Sequence, residues 1–389
     1  TPKIWKTATI KPLPKITKPD QLKHFRPIAL TSCLCKTMER LLKTYITENT
    51  PLDKYQFAYR ARRSTQDAVL CLTTTVTNFI DQHSSYYARC LFLDFSSAFN
   101  TIDVKHLLPE LKHLDSHVIN WVASFLTCRT QRTIVNNTMS KSITTYTGTP
   151  QGSVLSPLLF SIYTNRLVSE CSNVTILKYA DDTCIIGCIS DDNDLQAYFN
   201  EISRVSTLCK QLDLSLNPSK TQEMLLCTKR DKPDSTALEL DGIEIKLCDN
   251  VKYLGVLIDS KLRFESHVDN LVTKASQRMH IVRTFCHTST KLLSSMLFKS
   301  FIISILTYCL PILYTSIYAK DKKRLRKFFK DANNLSIHDI SDLDSIIDKR
   351  TKNLIMNYIH DDEHFINDYL PKLPSGRYRT IKYRSSWGK

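Results

Sequence analysis

Three aspartates are placed where a cluster of carboxylates could bind metal ions. Asp94 lies near the end of a short apolar run (RCLFLDF), and Asp181 and Asp182 lie between two apolar stretches (TILKYADDTCIIG). Carboxylates gathered at strand ends are costly unless they bind cations, and hard cations such as Mg²⁺ prefer oxygen ligands. Two Mg²⁺ ions about 3.5–4 Å apart would support in-line displacement at a phosphorus atom. A bare Asp-Asp pair is more often an ordinary exposed turn, so the prediction depends on the residues around it.

The segments around these aspartates predict the elements that must hold them. Arg89–Phe95 has the pattern of a buried strand, and Ser96–Phe99 opens a helix after it. Thr175–Gly187 has the pattern of a tight hairpin with the Asp-Asp pair at its tip. Because successive strand residues point to opposite faces, only one member of the pair can readily share a metal ion with Asp94.

Other patterns predict the organisation of the rest of the chain. The elements expected are a helix capped by Ser64 or Thr65 and continuing towards Ile80, a loop at Gly148–Gly152, helical stretches at Val154–Val168 and Leu195–Leu212, and strands at Leu238–Ile245 and Val251–Ile258. After about residue 260 the pattern is mostly helical. Strands and helices followed by an all-helical end predict an α+β core with a helical appendage.

The composition is that of a basic globular protein. The chain has 389 residues and a formal net charge of +15, from 53 Lys and Arg against 38 Asp and Glu, with 42% hydrophobic residues. The basic surplus indicates a polyanionic partner, either nucleic acid or an anionic membrane. The 13 cysteines are scattered without a CxxC pair, which favours a reducing compartment and argues against a structural zinc site.

One uncharged stretch, Ser300–Ala319, is at 20 residues long enough to cross a membrane. It contains Ser, Thr and Tyr residues and a central Pro311, and its apolar density is low for a membrane span. We therefore predict a buried helix that is interrupted at Pro311.

Two later segments combine positive charge with aromatic rings. Lys320–Lys330 (KDKKRLRKFFK) carries seven positive charges, and Arg377–Lys389 (RYRTIKYRSSWGK) mixes Arg and Lys with Tyr and Trp. Cationic side chains follow phosphates and rings stack on unpaired bases, although a charge run is more often a solvated surface.

The residues around the aspartates carry a specific resemblance. Seven short motifs, in chain order, are Phe25–Leu30 (FRPIAL), Gln56–Arg60 (QFAYR), Leu93–Asp103 (LDFSSAFNTID), Gly148–Phe160 (GTPQGSVLSPLLF), Tyr179–Asp182 (YADD), Leu216–Thr221 (LNPSKT) and Val251–Gly255 (VKYLG). Together they resemble the fingers, catalytic and later motifs of reverse transcriptases from non-LTR retrotransposons, LINE elements of the jockey/CR1 kind. Tyr308–Pro311 (YCLP) is similar to the post-polymerase region of those elements, which weakens the membrane interpretation further.

This resemblance implies a right-hand polymerase fold of the α+β class, with fingers, an antiparallel-sheet palm and a helical thumb. We expect fingers and palm in residues 1–258, a helical thumb or post-polymerase region in 259–370, and a basic aromatic tail, disordered until bound, in 371–389. The implied activity is that of an RNA-directed DNA polymerase. Such an enzyme extends the 3′-hydroxyl of a DNA primer on an RNA template, using dNTPs and two Mg²⁺ ions, with Mn²⁺ as an alternative.

The resemblance also implies roles for individual residues. Asp94 and Asp181 would bind both metal ions, with Asp182 a less direct ligand. Lys220 would protonate the leaving pyrophosphate, with a solvated surface lysine as an equal alternative. The residues implied at the nucleotide are Lys15, Arg26, Phe95, Phe99, Gln151 and Gly152, and those implied in the primer grip are Tyr253, Leu254 and Gly255.

Phe99 bears on which sugar is incorporated. In the family an aromatic residue here packs under the sugar and excludes a 2′-hydroxyl, although a plain core Phe is the alternative from sequence alone. RNA-dependent RNA polymerases instead place a second Asp four or five residues after the first, where this chain has Ala98 and Phe99. The absence of that Asp favours DNA synthesis and makes a maturase or a viral RNA polymerase the poorer interpretation.

The chain departs from the family pattern in two respects. Ala58 replaces a glycine common in the fingers motif, which affects a local turn and no catalytic residue. The chain starts without Met inside the opening motif and lacks segments resembling the endonuclease, RNase H domain or zinc knuckle of relatives, so we expect a fragment of a longer protein. The alternative function is that of a catalytically inactive, nucleic-acid-binding remnant of a retroelement.

The sequence also bounds the setting in which the protein acts. We expect an intracellular protein of the nucleus or cytoplasm, neither secreted nor in a membrane, with template RNA, primer or target DNA and dNTPs as partners. The identity of the RNA, the target site and the oligomeric state are left open by the sequence.

Overall fold

Strands and helices alternate up to residue 259, and helices make up the chain after it. The structure, a computed structural model, describes residues 1–369 apart from 83–85, 228–235, 287, 336, 338–339 and 362. The strands are β1 (Thr7–Pro14), β2 (Phe25–Leu30), β3 (Tyr87–Leu93), β4 (Arg129–Val135), β5 (Thr138–Met139), β6 (Ile143–Thr145), β7 (Val174–Tyr179), β8 (Asp182–Ile189), β9 (Gln222–Leu226), β10 (Glu239–Leu240), β11 (Ile243–Glu244), β12 (Lys246–Leu247), β13 (Asn250–Tyr253) and β14 (Val256–Asp259). The α-helices are α1 (Cys33–Asn49), α2 (Thr65–Ile80), α3 (Val104–Leu107), α4 (Ser116–Leu126), α5 (Ser156–Tyr163), α6 (Asp192–Gln211), α7 (Glu265–Cys286), α8 (Lys291–Phe298), α9 (Ser304–Leu306), α10 (Leu310–Leu313), α11 (Ala319–Asn334) and α12 (Leu343–Ile359). Short 3₁₀ segments occupy Lys3–Lys6, Leu22–His24, Ala98–Asn100, Leu108–Leu111 and Phe365–Asp368, and a π-helical turn occupies Lys299–Ile303.

Five strands form the central sheet, in the order β12-β9-β3-β8-β7. The middle strand, β3, is antiparallel to both β8 and β9, whereas the two-residue pairing of β12 with β9 is parallel. Every residue of β3 except Tyr87 is buried, because both faces of the sheet are covered. The buried strand predicted here is confirmed, and so is a largely antiparallel central sheet.

Alternate residues of β3 enter two different hydrophobic cores. Cys90 and Phe92 belong to one core with helix α2 and the helices after β14, whereas Leu91 and Leu93 belong to another with α4, α5 and α6. Side chains alternate between the two faces of a strand, so this single strand connects the two cores.

Strands β7 and β8 form the predicted hairpin. Tyr179 pairs with Asp182, so Ala180 and Asp181 are the two turn residues. Asp182 is therefore not at the tip beside Asp181, as the sequence suggested, but is the first residue of β8. Because Leu93 pairs with Thr183, the end of β3 and the start of β8 meet at one edge of the sheet.

A second sheet contains the N-terminal strands, in the order β2-β1-β4-β5 with β6 beside β4. In the antiparallel pair of β1 and β2, Pro12 lies opposite Pro27. Neither proline has an N–H group, so they fit this pairing only where no ladder hydrogen bond is required. The FRPIAL motif is strand β2 and is followed directly by α1.

The chain after residue 260 is mainly helical, as predicted, and it contains the uncharged stretch Ser300–Ala319. Much of this stretch is buried, but the helical break falls at Thr307–Cys309, just before Pro311. Cys309 has a left-handed φ of 53°, and Pro311 lies in the first turn of α10, where its missing N–H costs no helical bond. Among the described residues, no helix is both long and apolar enough to cross a bilayer.

Three other predicted elements differ from the structure. Leu238–Ile245 is not one strand, because the turn at Asp241 and Gly242 divides it into β10 and β11. The helix expected over Val154–Val168 is limited to α5, and Ser96–Phe99 opens only a 3₁₀ turn. The basic aromatic tail expected in 371–389 lies outside the described residues, and none of the 13 cysteines, all of which are described, is joined in a disulfide bond.

His267, in the first turn of α7, makes stability depend on pH. Its Nδ1 accepts the N–H of Leu257 at 3.4 Å, and burial, with the nearby Lys274 charge, lowers its pKa from 6.5 to about 4. Between pH 6.5 and 4 the unfolded chain binds a proton that the folded chain does not, so stability falls as the pH falls. We expect this residue to lower the free energy of unfolding by about 2 kcal/mol between pH 7 and 5.

Urea denaturation at the two pH values measures this effect. His267→Asn keeps an acceptor for the Leu257 N–H and should lose this pH dependence, whereas His280→Asn, at an exposed position of the same helix, should retain it. The same pH dependence in wild type and H267N would show that His267 is not responsible.

Candidate active site

The backbone on both sides of Asp94 is held by the LNPSKT segment. The carbonyl oxygen of Asp94 accepts the N–H of Asn217 at 2.8 Å, and its N–H donates to Oγ1 of Thr221 at 3.3 Å. The side chain of Lys220, from the same segment, brings its Nζ to 3.5 Å from Oδ2 of Asp94. Two motifs separated by more than a hundred residues therefore meet at this carboxylate.

Asp181 and Asp182 share the edge of the central sheet with Asp94. The turn residue Ala180 has a φ of 58°, a left-handed conformation that costs a non-glycine residue about 1–2 kcal/mol. The side chains of Asp181 and Asp182 remain open to solvent, although protein atoms surround them.

The pKa values of Asp181 and Asp182 respond to the charges around them. Burial, followed by the charges of Asp181 and Asp94, raises the pKa of Asp182 to about 6. Burial and the charge of Asp94 also raise the pKa of Asp181, whereas the guanidinium of Arg26 acts in the opposite direction. The predicted metal ligands are therefore brought into one electrostatic cluster, and Arg26 lies near enough to act on it.

The chemistry of this cluster fits a divalent cation. Oδ2 of Asp94 is buried and accepts no hydrogen bond, and the repulsion among the three carboxylates would be relieved by positive charge. Within the described parts of the chain, however, no three His, Cys, Asp or Glu side chains already stand close enough to enclose an ion. Asp94, Asp181 and Asp182 are the residues that would hold it.

The Gly148–Gly152 loop is fixed to the segment that follows Asp94. Gly148 donates to the carbonyl of Ile102 at 2.7 Å, and Thr149 donates to the carbonyl of Phe99 at 2.8 Å. From the other side, Nη2 of the buried Arg129 donates to the carbonyls of Thr147 and Gly148 at 2.7 and 2.8 Å. Burial lowers the pKa of Arg129 to about 10. Because its guanidinium is buried and donates to these two carbonyls, Arg129 serves chiefly to hold the loop.

Gln151 and Gly152 connect the loop to strand β2. The carbonyl of Gln151 accepts the N–H of Ala29 at 2.7 Å, and its Nε2 donates to Oδ1 of Asn100 at 3.3 Å. Gly152 has a φ of +109°, and a Cβ there would lie 3.2 Å from the carbonyl oxygen of Ala29. A side chain at this position would disturb the contact between the loop and β2.

The two phenylalanines of the first catalytic motif have different environments. Phe99 is half-buried, with its ring centroid 4.9 Å from that of Phe160. Phe95 is only 8% exposed and packs in the second core, where its backbone bridges to Leu216. Phe99 can still border a ligand, whereas the Phe95 side chain cannot contact a nucleotide directly, since it faces the core.

The predicted fingers cations lie on the hairpin of β1 and β2. Arg26 is an exposed residue of β2. Lys15 follows β1, and its Nζ donates to the carbonyl of Lys23 at 3.1 Å. Both cations are accessible, but Arg26 alone is seen to act on the carboxylates.

The segment predicted as the primer grip is the turn of the hairpin β13–β14. Leu254 and Gly255 have φ values of 46° and 84°, as in a type I′ turn. The hydroxyl of Tyr308 donates to the carbonyl of Leu254 at 2.6 Å. Tyr253 is buried, its ring centroid 5.4 Å from that of Phe92, so only the turn itself is available to a ligand.

Three residues of the site were not assigned from the sequence. Burial, followed by the charge of Asp181, raises the pKa of Tyr59, so Tyr59 lies within electrostatic reach of that carboxylate. Asn100 bonds Gln151, and Tyr308 holds the β13–β14 turn. All three lie within the motifs QFAYR, LDFSSAFNTID and YCLP, so membership in a motif was the sequence feature that could have identified them.

Gly148 and Gly242 have nearly the same φ, so substituting each one distinguishes the cost of backbone strain from the cost of a steric clash. A Cβ on Gly148 (φ +73°) would lie 2.7 Å from Cα and O of Asn100, whereas one on Gly242 (φ +77°) meets nothing within 4 Å. Gly148→Ala and Gly242→Ala should both lose about 1–2 kcal/mol to the left-handed conformation. Only G148A must also displace Asn100, for a further loss of about 1–3 kcal/mol. Urea denaturation measures both, and equal losses would mean that the loop moves freely.

Sequence comparison supports the resemblance of the motifs. Residues 16–258 match the family described as "Reverse transcriptase (RNA-dependent DNA polymerase)". A probable RNA-directed DNA polymerase from transposon BS of Drosophila melanogaster is 30% identical over 299 residues, covering 72% of this chain and 32% of the relative. The RNA-directed DNA polymerase from mobile element jockey of the same species is 29% identical over 289 residues, covering 69% and 31%. The chain thus spans about a third of the length of these curated relatives.

Solved structures give a more distant likeness. Telomerase from Candida tropicalis, in complex with a fragment of telomeric RNA, aligns with a TM-score of 0.48 and 12% identity, over 95% of this chain and 64% of that one. The apo form from the same species aligns with a TM-score of 0.45 and 13% identity, over 84% and 61%. The match over residues 16–258 and the relatives among retrotransposon polymerases establish that this chain belongs to the reverse transcriptase family.

Proposed function

We propose that this chain is the polymerase part of a retrotransposon protein, which extends the 3′-hydroxyl of a DNA primer on an RNA template with dNTPs. The observation that carries the proposal is the cluster of Asp94, Asp181 and Asp182 at one edge of the central sheet, where the end of β3 meets the start of β8. Family membership supports this assignment, because reverse transcriptases use a divalent metal ion in nucleotide transfer.

The carboxylates have the central role in this proposal. Two Mg²⁺ ions, or Mn²⁺ in their place, held by Asp94 and Asp181 would lower the pKa of the primer hydroxyl and neutralise phosphate charge. Asp182 is a less direct ligand and strengthens the negative potential of the site. Lys220 is proposed to protonate the leaving pyrophosphate, for which its Nζ must move away from Asp94, 3.5 Å distant.

Other residues would orient the nucleotide and the primer. Arg26 and Lys15 are proposed to bind the triphosphate, since Arg offers phosphate a planar fork and Lys a point charge. Gln151 and Gly152 would lie along the nascent base pair, and Phe99 under its sugar. The turn formed by Leu254 and Gly255, with Tyr253 buried behind it, would contact the primer backbone, and Phe95 would support the nucleotide site from the core.

We further propose that residues 1–258 are fingers and palm and that 259–370 are a thumb that contacts the template–primer duplex. Helix α11 contains the whole basic run Lys320–Lys330. Lys320, Arg324 and Arg326 form ion pairs with acids, whereas Lys323, Lys327 and Lys330 are exposed and have no acidic partner among the described residues. These three lysines are the proposed contacts to phosphate. Such a protein would act in the nucleus or cytoplasm.

Asp94→Asn and Asp181→Asn test the proposed activity. Each keeps the shape of the side chain and removes its charge, so primer extension should fall by at least about 10²–10³-fold. Extension of oligo(dT) on poly(rA) with Mg²⁺ measures this. Asp192→Asn, at an exposed position in the first turn of α6, should remain active. Full activity of D94N or D181N contradicts the assignment, and wild-type protein that binds duplex without extending it would support the inactive-remnant alternative.

Phe99→Val tests the proposed selection against ribonucleotides. The smaller side chain should leave room for a 2′-hydroxyl, so the preference for dNTPs over rNTPs should fall by about tenfold or more. Phe99→Tyr keeps the ring on Phe160 and should keep the preference. The ratio of kcat/KM for dTTP and UTP on poly(rA) is the measurement, and an unchanged ratio in F99V would mean that this ring does not exclude the hydroxyl.

A further inference from the structure

The last described segment of the chain crosses back to the loop that precedes helix α2. We call residues 360, 361 and 363–369 the strap. The ring of Phe365 lies 5.7 Å from that of Phe57 in an edge-on contact, and both rings are buried. The hydroxyl of Tyr369 is 3.1 Å from Oγ1 of Thr75. The strap lies about a hundred residues beyond the part of the chain that matches the family.

Opposite charges join the strap to the loop Ala58–Arg63. Arg63 forms an ion pair with Asp361 in which the side chains are 3% and 18% exposed. Arg60 lies 3.5 Å from the carboxylate of Glu363, and its Nη1 also donates to the carbonyl of Asp53 at 2.8 Å. The stability of this region depends strongly on both Arg63 and Asp361, because removing one of a nearly buried pair leaves the other charge without compensation.

This loop has a backbone that needs such support. Tyr59 and Arg62 have φ values of 59° and 58°, in the left-handed region that side chains disfavour. Non-glycine residues stay in this region when the surrounding structure over-determines their conformation. The strap supplies part of those surroundings, through Arg60 and Arg63 on either side of Arg62.

The end of the loop is fixed by a buried polar group. Asp67 accepts the N–H of Ser64 at 2.6 Å and caps helix α2. His364 of the strap is fully buried, with its Nε2 3.6 Å from Asp67 and its ring stacked on Tyr358 at 4.2 Å. Burial acts to raise the pKa of Asp67, but the nearby His364 and the hydrogen bonds from Ser64 outweigh it and lower that pKa. The strap therefore also stabilises the charged cap.

The opposite side of the loop contacts the carboxylate hairpin. Strand β7 exchanges two backbone hydrogen bonds with the residues that lead into the loop, since Phe57 donates to the carbonyl of Lys178 and Lys178 donates to the carbonyl of Tyr55, each at 2.9 Å. The loop is thus held between the strap and the hairpin that carries the proposed metal ligands.

We propose that the strap is a positioning element of the active site, which holds the Ala58–Arg63 loop and thereby keeps the residues before it paired with strand β7 of the carboxylate hairpin. This inference rests on the proposed polymerase function. Arg63, Asp361 and His364 are positioning residues, because they act through the loop and touch neither substrate nor the carboxylate cluster. The burial of the Arg63–Asp361 pair argues against a displaceable, autoinhibitory contact, since such a contact has to open to solvent readily.

Charge reversal and its rescue test the proposal. Arg63→Glu and Asp361→Arg should each speed hydrogen exchange of the amides of residues 58–63 and lower kcat for primer extension by about tenfold, with less change in KM for dNTP. The double variant restores opposite charges and should recover both. Lys105→Glu, which breaks an exposed ion pair with Asp213 outside this region, is the matched control and should change neither quantity.

Asp361→Asn and thermal unfolding cover the case in which charge reversal prevents folding. This milder variant keeps a hydrogen-bond acceptor for Arg63, so it should lower the unfolding temperature less than either charge reversal and still speed exchange in the loop. Unchanged exchange at residues 58–63 in D361N, failure of the double variant to recover, or faster synthesis in either single variant overturns the proposal. Because exchange needs no catalysis, an inactive wild type would refute the polymerase function while still allowing the strap to be judged.

Discussion

The antiparallel pairing of β3 with β8 is the constraint on which the candidate site depends. With Leu93 opposite Thr183, the residue after β3 and the first residue of β8 come to the same edge, so Asp94 meets Asp181 and Asp182. Burial and then the neighbouring negative charges raise the pKa values of Asp181 and Asp182, so the carboxylates do not hold this arrangement themselves. The sheet holds it, because a slip of one residue would turn Phe92 and Leu93 out of their two cores.

Buried charges within the sheet reinforce this register. Arg89 of β3 donates two hydrogen bonds of 2.8 Å to Glu223 of β9, and the hydroxyl of Tyr198 donates to the same carboxylate at 3.0 Å. Lys178 of β7 is buried with its Nζ 3.1 Å from Asp53. Such pairs add little net stability, but a shifted strand would leave each charge buried without its partner. They therefore disfavour alternative registers more than they stabilise the native one.

Local patterns in the sequence predicted the elements that carry the site. Ser64 caps α2, β3 is a buried strand and the YADD segment is a hairpin, because caps, apolar runs and tight turns are encoded by neighbouring residues. What the sequence could not show depends on distant partners. It did not reveal that Arg89, inside an apolar run, pairs with Glu223, or that the Phe95 side chain turns into the core.

The errors in the prediction have the same cause. The break in the uncharged stretch was expected at Pro311, but it precedes the proline, where Tyr308 bonds Leu254 and Thr65. That interaction joins residues 54 and 243 positions apart in the chain, so the hydrophobic pattern of the stretch alone carries no sign of it. The sequence did lead to Asp94 and the Asp181–Asp182 pair at neighbouring strand ends, because these positions follow from two strands and one turn, although Asp182 begins β8 and does not lie at the tip.

The same contacts bear on how the helices after residue 258 relate to the site. The hydroxyl of Tyr308 donates to the turn of β13–β14 and also lies within hydrogen-bond distance, 3.0 Å, of the hydroxyl of Thr65 at the start of α2. The core that contains Phe92 also includes buried residues of α7, α8, α11 and α12. Since packed cores do not deform independently, a change in these helices must reach the turn and the QFAYR loop. A division at residue 258 would thus separate proposed roles, but the two parts share one hydrophobic core. The geometry of the carboxylates therefore depends on both parts being folded together.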